Sequence, residues 1–378
     1  MSRSIAVVIY GATGYTGKFI ARYFHEKNAQ WGLSWALAGR SEPRLNAVLQ
    51  ELAGIRNEGL PSLIVADINA APVSLEFFKN TRLVLNCTGP FRFLGEPIVK
   101  ACIANGTHYM DITGEPYFIE SMFFKYSQEA KNNNCIILHS CAFDSVPSDL
   151  GTIYTIRQFP EACCASIESF IEMECPHGYT AHSTTYECAV HGMTDTTSLK
   201  ALRKQIEETL HPPKIEHMGP KLERKSGFFF EERLRKHCLP FMGADASVVR
   251  LTQRIHAMTR GLLLWPQIAI YAAGWNSWLH LLYMIISFLI VGDWSARLTT
   301  TLCGAVVNGL AMLPFGKDLL LSYPGIFTAG TFSHSGPSQE QLDNTNFKLT
   351  FFAKGFTDLS SRDKGHHFDK AYRCFDIV

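Results

Sequence analysis

The chain has 378 residues, 47% of them hydrophobic, and this length predicts two domains with a sizeable core. A formal net charge of +1 argues against a general nucleic-acid binder. The eleven cysteines contain no CxxC pair and the fourteen histidines show no metal-ligand spacing, so no metal site is predicted. Because the sequence opens on a core strand, we expect no cleavable signal peptide and reduced thiols in a cytosol-facing protein.

A buried strand that ends in a glycine-rich turn opens the chain. Apolar and β-branched residues run from Ile5 to Tyr10, and a helical segment follows the turn. The glycines are spaced G-x-x-G-x-x-G, so the backbone can approach a pyrophosphate while the N–H groups of the helix N-terminus face it. A tight turn without a ligand is the alternative, but the strand-turn-helix context favours nucleotide binding. The residues predicted to bind the cofactor here are Gly11, Ala12, Thr13, Gly14, Tyr15, Thr16 and Gly17.

Apolar runs and helical segments alternate as far as Gly151. Further strands are predicted at 33–38, 63–66, 83–86, 108–112 and 135–138, and helices at 43–52, 73–80, 97–105 and 116–132. This alternation predicts an α/β fold in which a doubly wound parallel sheet of the Rossmann, NAD(P)-binding type spans residues 1–151. Ligands of such sheets bind at the carboxyl ends of the strands.

Polar residues follow the second and third predicted strands at that edge. Arg40 and Ser41 stand where NAD-binding proteins place an acid for the ribose 2′-hydroxyl. A cation and a hydroxyl can instead hold a 2′-phosphate, so NADP is favoured over NAD; a solvated arginine is the alternative. Asp67 is predicted to meet the adenine side, with a turn or a helix cap as an equal alternative.

The fourth, fifth and sixth predicted strands end near the expected nicotinamide half. Tyr109 and Asp111 around the fifth strand, and Asp144 after the sixth, are the candidate catalytic residues at the polar end of the crevice. Helix capping is the alternative for Asp144. Cys87 is interpreted as a packing thiol rather than a nucleophile. The cofactor is predicted to pass the small-residue turn after the fourth strand, Cys87, Thr88 and Gly89.

These motifs together resemble the saccharopine dehydrogenase-like oxidoreductases. The resemblance implies a nicotinamide-binding Rossmann domain with a second α/β domain, and it implies no catalytic residue set. Animal members of that family are placed on lipid droplets and in mitochondria, and some bacterial relatives resemble enoyl reductases of glycolipid assembly. Family members continue into a further helix after the last strand; here the chain ends at Val378, so we expect that segment to be absent or replaced. The motifs that carry the resemblance are 11–17, 38–40, 86–91, 109–115 and 143–149.

The second predicted domain, residues 152–378, has a weaker pattern. Residues 166–175 and 347–356 alternate in polarity as strands do, 198–210 form a helical segment, and 184–190 fit either a strand or a short helix. Residues 214–236 mix cations with an aromatic block. Such a stretch can lie on an anionic membrane surface or form a solvated loop with one buried aromatic patch.

Residues 261–316 form the most unusual region. They contain only two formal charges, and 278–291 are a strongly apolar run that is shorter than the roughly 20 residues of a bilayer span. Flanking tryptophans and upstream arginines favour a membrane-embedded hairpin or an interfacial helix. An apolar core or a homodimer interface is the alternative.

Two functions follow from the sequence. The first is an NADP(H)-linked oxidoreductase that acts on an apolar or lipid-linked substrate at a lipid-droplet or membrane surface. The second is a non-catalytic, nucleotide-binding protein on such a surface. The glycine turn supports the first and the expected loss of the C-terminal segment supports the second.

Overall fold

The protein is described by a computed structural model over residues 3–68, 77–143, 145–160, 163–241, 243–275, 313, 315–324, 328, 330–356 and 372–377. The chain divides into two compact units, Met1–Ala142 and Phe143–Val378. The boundary predicted at Gly151 lies later in the chain, inside a helix of the second unit.

Six strands of the first unit form one parallel sheet in the order β3-β2-β1-β4-β5-β6. This is the strand order of a dinucleotide-binding fold, so the predicted doubly wound α/β sheet is confirmed. The strands are β1 (Ile5–Tyr10), β2 (Trp35–Gly39), β3 (Ser62–Val65), β4 (Thr81–Asn86), β5 (His108–Asp111) and β6 (Ile137–Leu138). The helices are α1 (Tyr15–Trp31), α2 (Glu42–Ile55), α3 (Phe91–Ala104) and α4 (Pro116–Asn132).

The central strand β1 is buried on both faces of this sheet. Val8 and Tyr10 join one apolar cluster with residues of α3 and α4, while Val7 and Ile9 join another with residues of α1 and α2. Burial on both faces requires an unbroken apolar run, which explains why the strand shows no alternation in sequence.

Helix α4 has the predicted bounds, whereas α3 begins earlier than predicted. Pro97 was expected to open α3, but it lies inside the helix, which begins at Phe91 directly after Pro90. A proline is tolerated at a helix start, so sequence alone favoured Pro97 as the first residue. Of the helix predicted at 73–80, residues 73–76 lie outside the described residues and 77–80 form a 3₁₀ turn.

The second unit contains a mixed sheet in the order β14-β13-β7-β11-β10-β9. Strand β7 pairs parallel with β11 and antiparallel with β13, so it is central. The strands are β7 (Cys164–Glu174), β9 (Phe229–Glu231), β10 (Lys236–Pro240), β11 (Gln267–Trp275), β13 (Asn346–Gly355) and β14 (Tyr372–Ile377); a separate pair is β8 (Ala181–His182) with β12 (Phe332–Ser333). The helices are α5 (Ser145–Ile156), α6 (Ser183–Thr194), α7 (Thr196–Leu210), α8 (Asp245–Arg260), α9 (Gly316–Ser322) and α10 (Gln339–Asn344).

Strand β11 corrects the prediction of a membrane-associating insert over 261–316. Its residues are the middle of the second sheet, with Ile268 and Ile270 packed in an apolar cluster with β7 and β13. The β11 part of the supposed insert is therefore core, and the prediction was wrong there. The apolar run 278–291 lies outside the described residues. None of the helices that the structure describes is long and apolar enough to cross a membrane.

Candidate functional site

The glycine turn between β1 and α1 is closed by contacts that admit no side chain. Gly11 has φ +80°, and a Cβ there would lie 2.5 Å from the hydroxyl oxygen of Thr88. A Cβ on Gly17 would collide with the carbonyl oxygen of Gly11. These two glycines are therefore required by the protein itself, because they let β1, α1 and the turn after β4 approach closely.

Gly14 differs from its two neighbours in the motif. It is the exposed N-cap of α1 with φ −76°, and a Cβ there would meet the carbonyl oxygen of Gly11 at 3.2 Å and otherwise open space. Within the described residues the first turn of α1 contains no acidic side chain. A helix N-terminus without a carboxylate, reached over an exposed glycine, has the geometry and the positive dipole end that a pyrophosphate requires.

Thr88 lies beside this turn and supports the fit of a polar ligand. Its backbone N–H donates to the Asn86 side-chain oxygen at 3.0 Å, while its own buried hydroxyl makes no hydrogen bond within the described part of the chain. Buried hydroxyls are normally satisfied, so this oxygen is suited to a bound group. Burial, together with the charge of Asp111, raises the pKa of Cys87 to about 12. A thiol with that pKa stays protonated, which agrees with the packing role expected for Cys87.

The residues after β2 and β3 adjoin the buried phenol of Tyr10. Burial, with the charge of Asp67, raises the pKa of Tyr10 to about 12, and the charge of Arg40 acts against this. Arg40 is exposed at the end of β2. Ser41 is the N-cap of α2, but its side chain makes no capping hydrogen bond to that helix in the described structure. Its hydroxyl is therefore not committed to the helix that it precedes.

A buried hydrogen-bond network joins the ends of β4, β5 and β6. Asp111 is 1% exposed, and its two side-chain oxygens take part in four hydrogen bonds. One oxygen accepts from the Tyr109 hydroxyl at 2.9 Å and lies 2.6 Å from Nδ1 of His139. The other accepts from the backbone N–H groups of Thr113 at 3.1 Å and Ser140 at 2.9 Å. A carboxylate with this many donors is fixed in orientation.

The network continues from Asp111 to Thr88, which lies beside the glycine turn of residues 11–17, called the glycine cradle below. Asn86 donates to the Tyr109 hydroxyl at 3.0 Å, and its other side-chain atom accepts from Thr88. Burial, followed by the charge of Asp111, raises the pKa of Tyr109 well above its usual value. Two of the three candidate catalytic residues, Tyr109 and Asp111, thus contact each other in an interior network; a catalytic role for either stays a prediction. Asp144 lies outside the described residues.

His139 is the site residue that the sequence analysis missed. It follows β6, its side chain is 10% exposed, and its ring packs edge-on against Tyr109 and Phe118. Ser140, the next residue, has φ +58°, a conformation that non-glycine residues rarely adopt. Its backbone N–H is held by Asp111 and its hydroxyl donates to the Thr113 carbonyl at 2.7 Å. A lone histidine between a strand and a turn carries no sequence motif, which is why it was overlooked.

The contacts of two cations in residues 214–236 help to decide whether this stretch lies on a membrane surface or packs within the protein. Arg233 and Lys225 both contact Glu231, at 2.6 Å each, and Arg233 also reaches Glu168 at 2.8 Å. Burial alone would raise the pKa of Glu231, but the hydrogen bonds from Arg233 and Lys225 lower it to about 2. Phe229 packs on Tyr271 in the same cluster. These two cations and this aromatic ring therefore serve internal packing, as the buried aromatic patch of the alternative requires, but residues 229–231 form a strand and not a loop.

Comparison with known proteins identifies relatives over nearly the whole chain. A family model described as the saccharopine dehydrogenase NADP binding domain matches residues 7–138. The human saccharopine dehydrogenase-like oxidoreductase is 37% identical over 96% of this chain and 81% of its own length. A Caenorhabditis elegans protein named lipid droplet localized protein is 31% identical over 95% of this chain and 81% of its own. A probable mitochondrial saccharopine dehydrogenase-like oxidoreductase of Arabidopsis thaliana is 32% identical over 95% and 80%.

The matched NADP-binding domain contains the glycine cradle and the orphan hydroxyl of Thr88. The sequence relationship therefore supports a nicotinamide cofactor, and the N-terminus of α1 has a geometry that fits its pyrophosphate. When bound, this cofactor supplies or accepts a hydride, and the protein supplies binding, orientation and proton transfer.

Proposed function

Because the chain belongs to the saccharopine dehydrogenase-like oxidoreductase family, we propose that it is an NADP(H)-dependent oxidoreductase acting on an apolar or lipid-linked substrate. The observation that carries the proposal is the glycine turn after β1, where Gly14 borders open space at the N-terminus of α1 and the hydroxyl of Thr88 beside Gly11 has no hydrogen-bond partner among the described residues. The cofactor would extend from Asp67 and Arg40 at the adenosine end towards the turn after β4, as doubly wound sheets bind it.

We propose NADP rather than NAD because of the residues that follow β2. Arg40 offers a planar fork of donors that suits a phosphate, and the hydroxyl of Ser41 is not used to cap α2. Hydrogen bonds to a charged group are worth about 1.5–3 kcal/mol each. Loss of one such contact corresponds to roughly ten- to hundredfold in affinity.

Titration of NADPH and NADH by nicotinamide fluorescence tests this proposal. Gly14→Val should abolish the binding of both nucleotides without changing the melting temperature. Gly54→Val is the matched control, because a Cβ at that exposed helical glycine meets open space. Arg40→Asp should weaken NADPH alone, and Arg22→Asp on the exposed face of α1 should not. Wild-type protein that binds neither nucleotide would refute the proposal, and tighter binding of NADH would refute the choice of NADP.

The substrate class and the surface are proposed from the relatives and from the apolar run 278–291. One relative is named for lipid droplets, and this run can supply apolar anchoring at about 0.8 kcal/mol per buried CH₂. NADPH consumption against lipid enoyl and imino-acid substrates separates the oxidoreductase from the alternative, a non-catalytic nucleotide-binding protein. NADPH binding without consumption of any of them would favour the alternative. Formation of a homodimer stays a prediction.

A deletion tests attachment to a lipid surface. It has to begin after Trp275, because β11 is a central strand of the second sheet. We expect the full-length protein to float with lipid droplets or neutral-lipid emulsions, and the variant lacking residues 276–312 to remain soluble and still bind NADPH. Full-length protein found wholly in the soluble fraction would contradict the proposed surface. The placement at a droplet, a mitochondrion or another membrane is left to the same fractionation.

A further inference from the structure

We infer that His139 is the catalytic residue that exchanges a proton with the substrate and that Asp111 is its positioning residue. The inference rests on the proposed oxidoreductase function and adds to it a proton donor and acceptor. Three features of the described structure carry it, namely the hydrogen-bonded ring, its unengaged nitrogen and its place at the sheet edge.

The first feature is the contact between His139 and Asp111. Nδ1 of the imidazole lies 2.6 Å from an Asp111 oxygen, and that carboxylate is held in turn by Tyr109, Thr113 and Ser140. A buried acceptor at Nδ1 selects the tautomer that carries its proton on Nδ1. Nε2 of the neutral ring is then a base, and the imidazolium form carries a transferable proton at the same atom.

The second feature is that Nε2 is not committed to the protein. It makes no hydrogen bond to any described residue, and the side chain is not wholly buried. The rings of Tyr109 and Phe118 fix the plane of the imidazole, with ring centroids 5.7 and 5.3 Å from that of His139. Orientation by a carboxylate on one side and an available nitrogen on the other is the arrangement that general acid–base catalysis requires.

The third feature is the place of His139 in the sheet. The proposed pyrophosphate site lies after β1 and the proposed adenosine site after β2 and β3, so the nicotinamide half would extend over β4, β5 and β6. His139 follows β6 at that edge. It is connected through Asp111, Tyr109 and Asn86 to Thr88, which borders the cradle. Ser140, the next residue, is held in a left-handed conformation by its hydrogen bonds to Asp111 and Thr113.

The proton balance of the step is simple. In the reductive direction the substrate double bond gains a hydride, which carries two electrons, from the reduced nicotinamide. It gains a proton from Nε2 of the His139 imidazolium, which becomes neutral imidazole and is reprotonated by solvent. In the oxidative direction Nε2 accepts the proton that leaves the substrate as its hydride goes to the oxidised nicotinamide. Asp111 accepts the hydrogen bond from Nδ1–H throughout, so the proton that is exchanged is the one on Nε2.

Two-bond ¹H–¹⁵N correlation spectra of the full chain labelled with ¹⁵N-histidine test the inference, with signals assigned through His139→Gln and His108→Gln. His108 is the matched control: its Nδ1 accepts from the Ile136 N–H at 3.2 Å, so it should show the opposite tautomer, with the proton on Nε2. We expect His139 at alkaline pH to carry its proton on Nδ1. Bound NADP⁺ should shift the Nε2 signal of His139 and leave that of His108 in place.

Two variants extend the test. Asp111→Asn should shift the His139 tautomer towards Nε2–H, which a purely structural role of the carboxylate does not require. His139→Gln should bind NADPH as the wild type does and lower kcat by at least about a hundredfold on any substrate that is turned over. If NADP⁺ binds and the His139 signal does not move, or if His139→Gln keeps its kcat, the inference fails while the proposed function stands. If no nucleotide binds, the proposed function itself fails.

Discussion

Both units of the protein contain buried carboxylates, and Asp111 in the first unit is stabilised differently from Glu231 and Glu168 in the second. In the first unit Asp111 accepts hydrogen bonds from neutral groups at the ends of neighbouring strands. In the second unit Glu231 and Glu168 lie on one face of the mixed sheet, and the guanidinium of Arg233 joins them. Arg233 also stacks on Phe352, with its guanidinium carbon 4.0 Å from the ring centroid.

This difference separates a candidate site from a structural cluster. Arg233 and Lys225 neutralise the buried carboxylates of the second unit by forming ion pairs with them. This cluster of charges therefore holds β7, β9 and the segment between β9 and β10 together. Asp111 instead orients a histidine whose second nitrogen is left for another partner. A buried carboxylate is thus no sign of catalysis by itself, and the group that it orients decides its role.

Removal of the Asp111 side chain should have the largest effect on stability. Asp111→Ala leaves the Tyr109 hydroxyl and two backbone N–H groups in the interior without their acceptor. Each buried group that loses its partner costs about 1–3 kcal/mol. We expect the free energy of unfolding to fall by about 4 kcal/mol. NADPH affinity should fall as well, because the turn at Thr88 loses its support.

Urea unfolding and NADPH titration measure the two effects of Asp111→Ala. Glu58→Ala, which removes an exposed carboxylate of the same unit, is the control and should change neither quantity. If Asp111→Ala loses stability but binds NADPH as tightly as the wild type, the network does not support the turn at Thr88, and the contrast between Asp111 and the Glu231 cluster weakens.

Arg233→Ala should be the next largest change, and its effect should be confined to stability. Glu231 and Glu168 would remain buried without this cation, although Lys225 would still contact Glu231 at 2.6 Å. Breaking a buried pair costs about 3–5 kcal/mol, and since Arg233 is partly exposed we expect about 3 kcal/mol. Lys204→Ala, which breaks the exposed pair with Glu208 on α7, should cost less than about 0.5 kcal/mol.

Differential scanning calorimetry with and without NADPH checks Arg233→Ala. The melting temperature should fall, and the stabilisation by NADPH should stay equal to that of the wild type. A variant that lost NADPH binding would show that the charged cluster is not confined to a structural role.

The sequence predicted the first unit better than the second. Strands β1 to β6 were found because buried parallel strands are short apolar runs between helices, and α4 was found with its bounds. The start of 261–316 was misjudged because β11 is buried on both faces. In sequence, the apolar residues of β11 are followed almost directly by the apolar run 278–291. Hydropathy alone therefore does not show where the strand ends and the run begins.

The candidate site was predicted only in part for a different reason. The residues of the glycine turn, 11–17, are neighbours in sequence, so the spacing of the glycines is enough to predict the turn. The Asp111–His139 contact depends on the register between β4, β5 and β6, in which Asn86 pairs with Asp111 and Met110 with Leu138. No local pattern encodes that register, because it follows from the packing of the whole sheet.

Substitution of Asp149 should have the smallest effect on stability, and it tests what burial costs a carboxylate that has few hydrogen-bond donors and no cation. This residue of α5 accepts one hydrogen bond, from Thr252 of α8 at 3.0 Å, and its other oxygen is buried without a partner among the described residues. It therefore has neither the donors of Asp111 nor the cation of Glu231. Burial raises its pKa from 3.8 to about 6, against the hydrogen bond from Thr252.

The raised pKa fixes the sign of the pH dependence. The folded state binds the proton of Asp149 more tightly than the unfolded state, so its contribution is most favourable below pH 3.8 and is lost as the pH rises through about 6. Asp149→Asn keeps an acceptor for Thr252 and carries no charge. It should therefore stabilise the protein by about 2 kcal/mol at about pH 8 and by almost nothing near pH 4. Urea unfolding at both pH values measures the difference, with Asp343→Asn, an exposed carboxylate of the same unit, as control. A gain of equal size at both pH values would mean that the amide improves packing and that the carboxylate was not strained by burial.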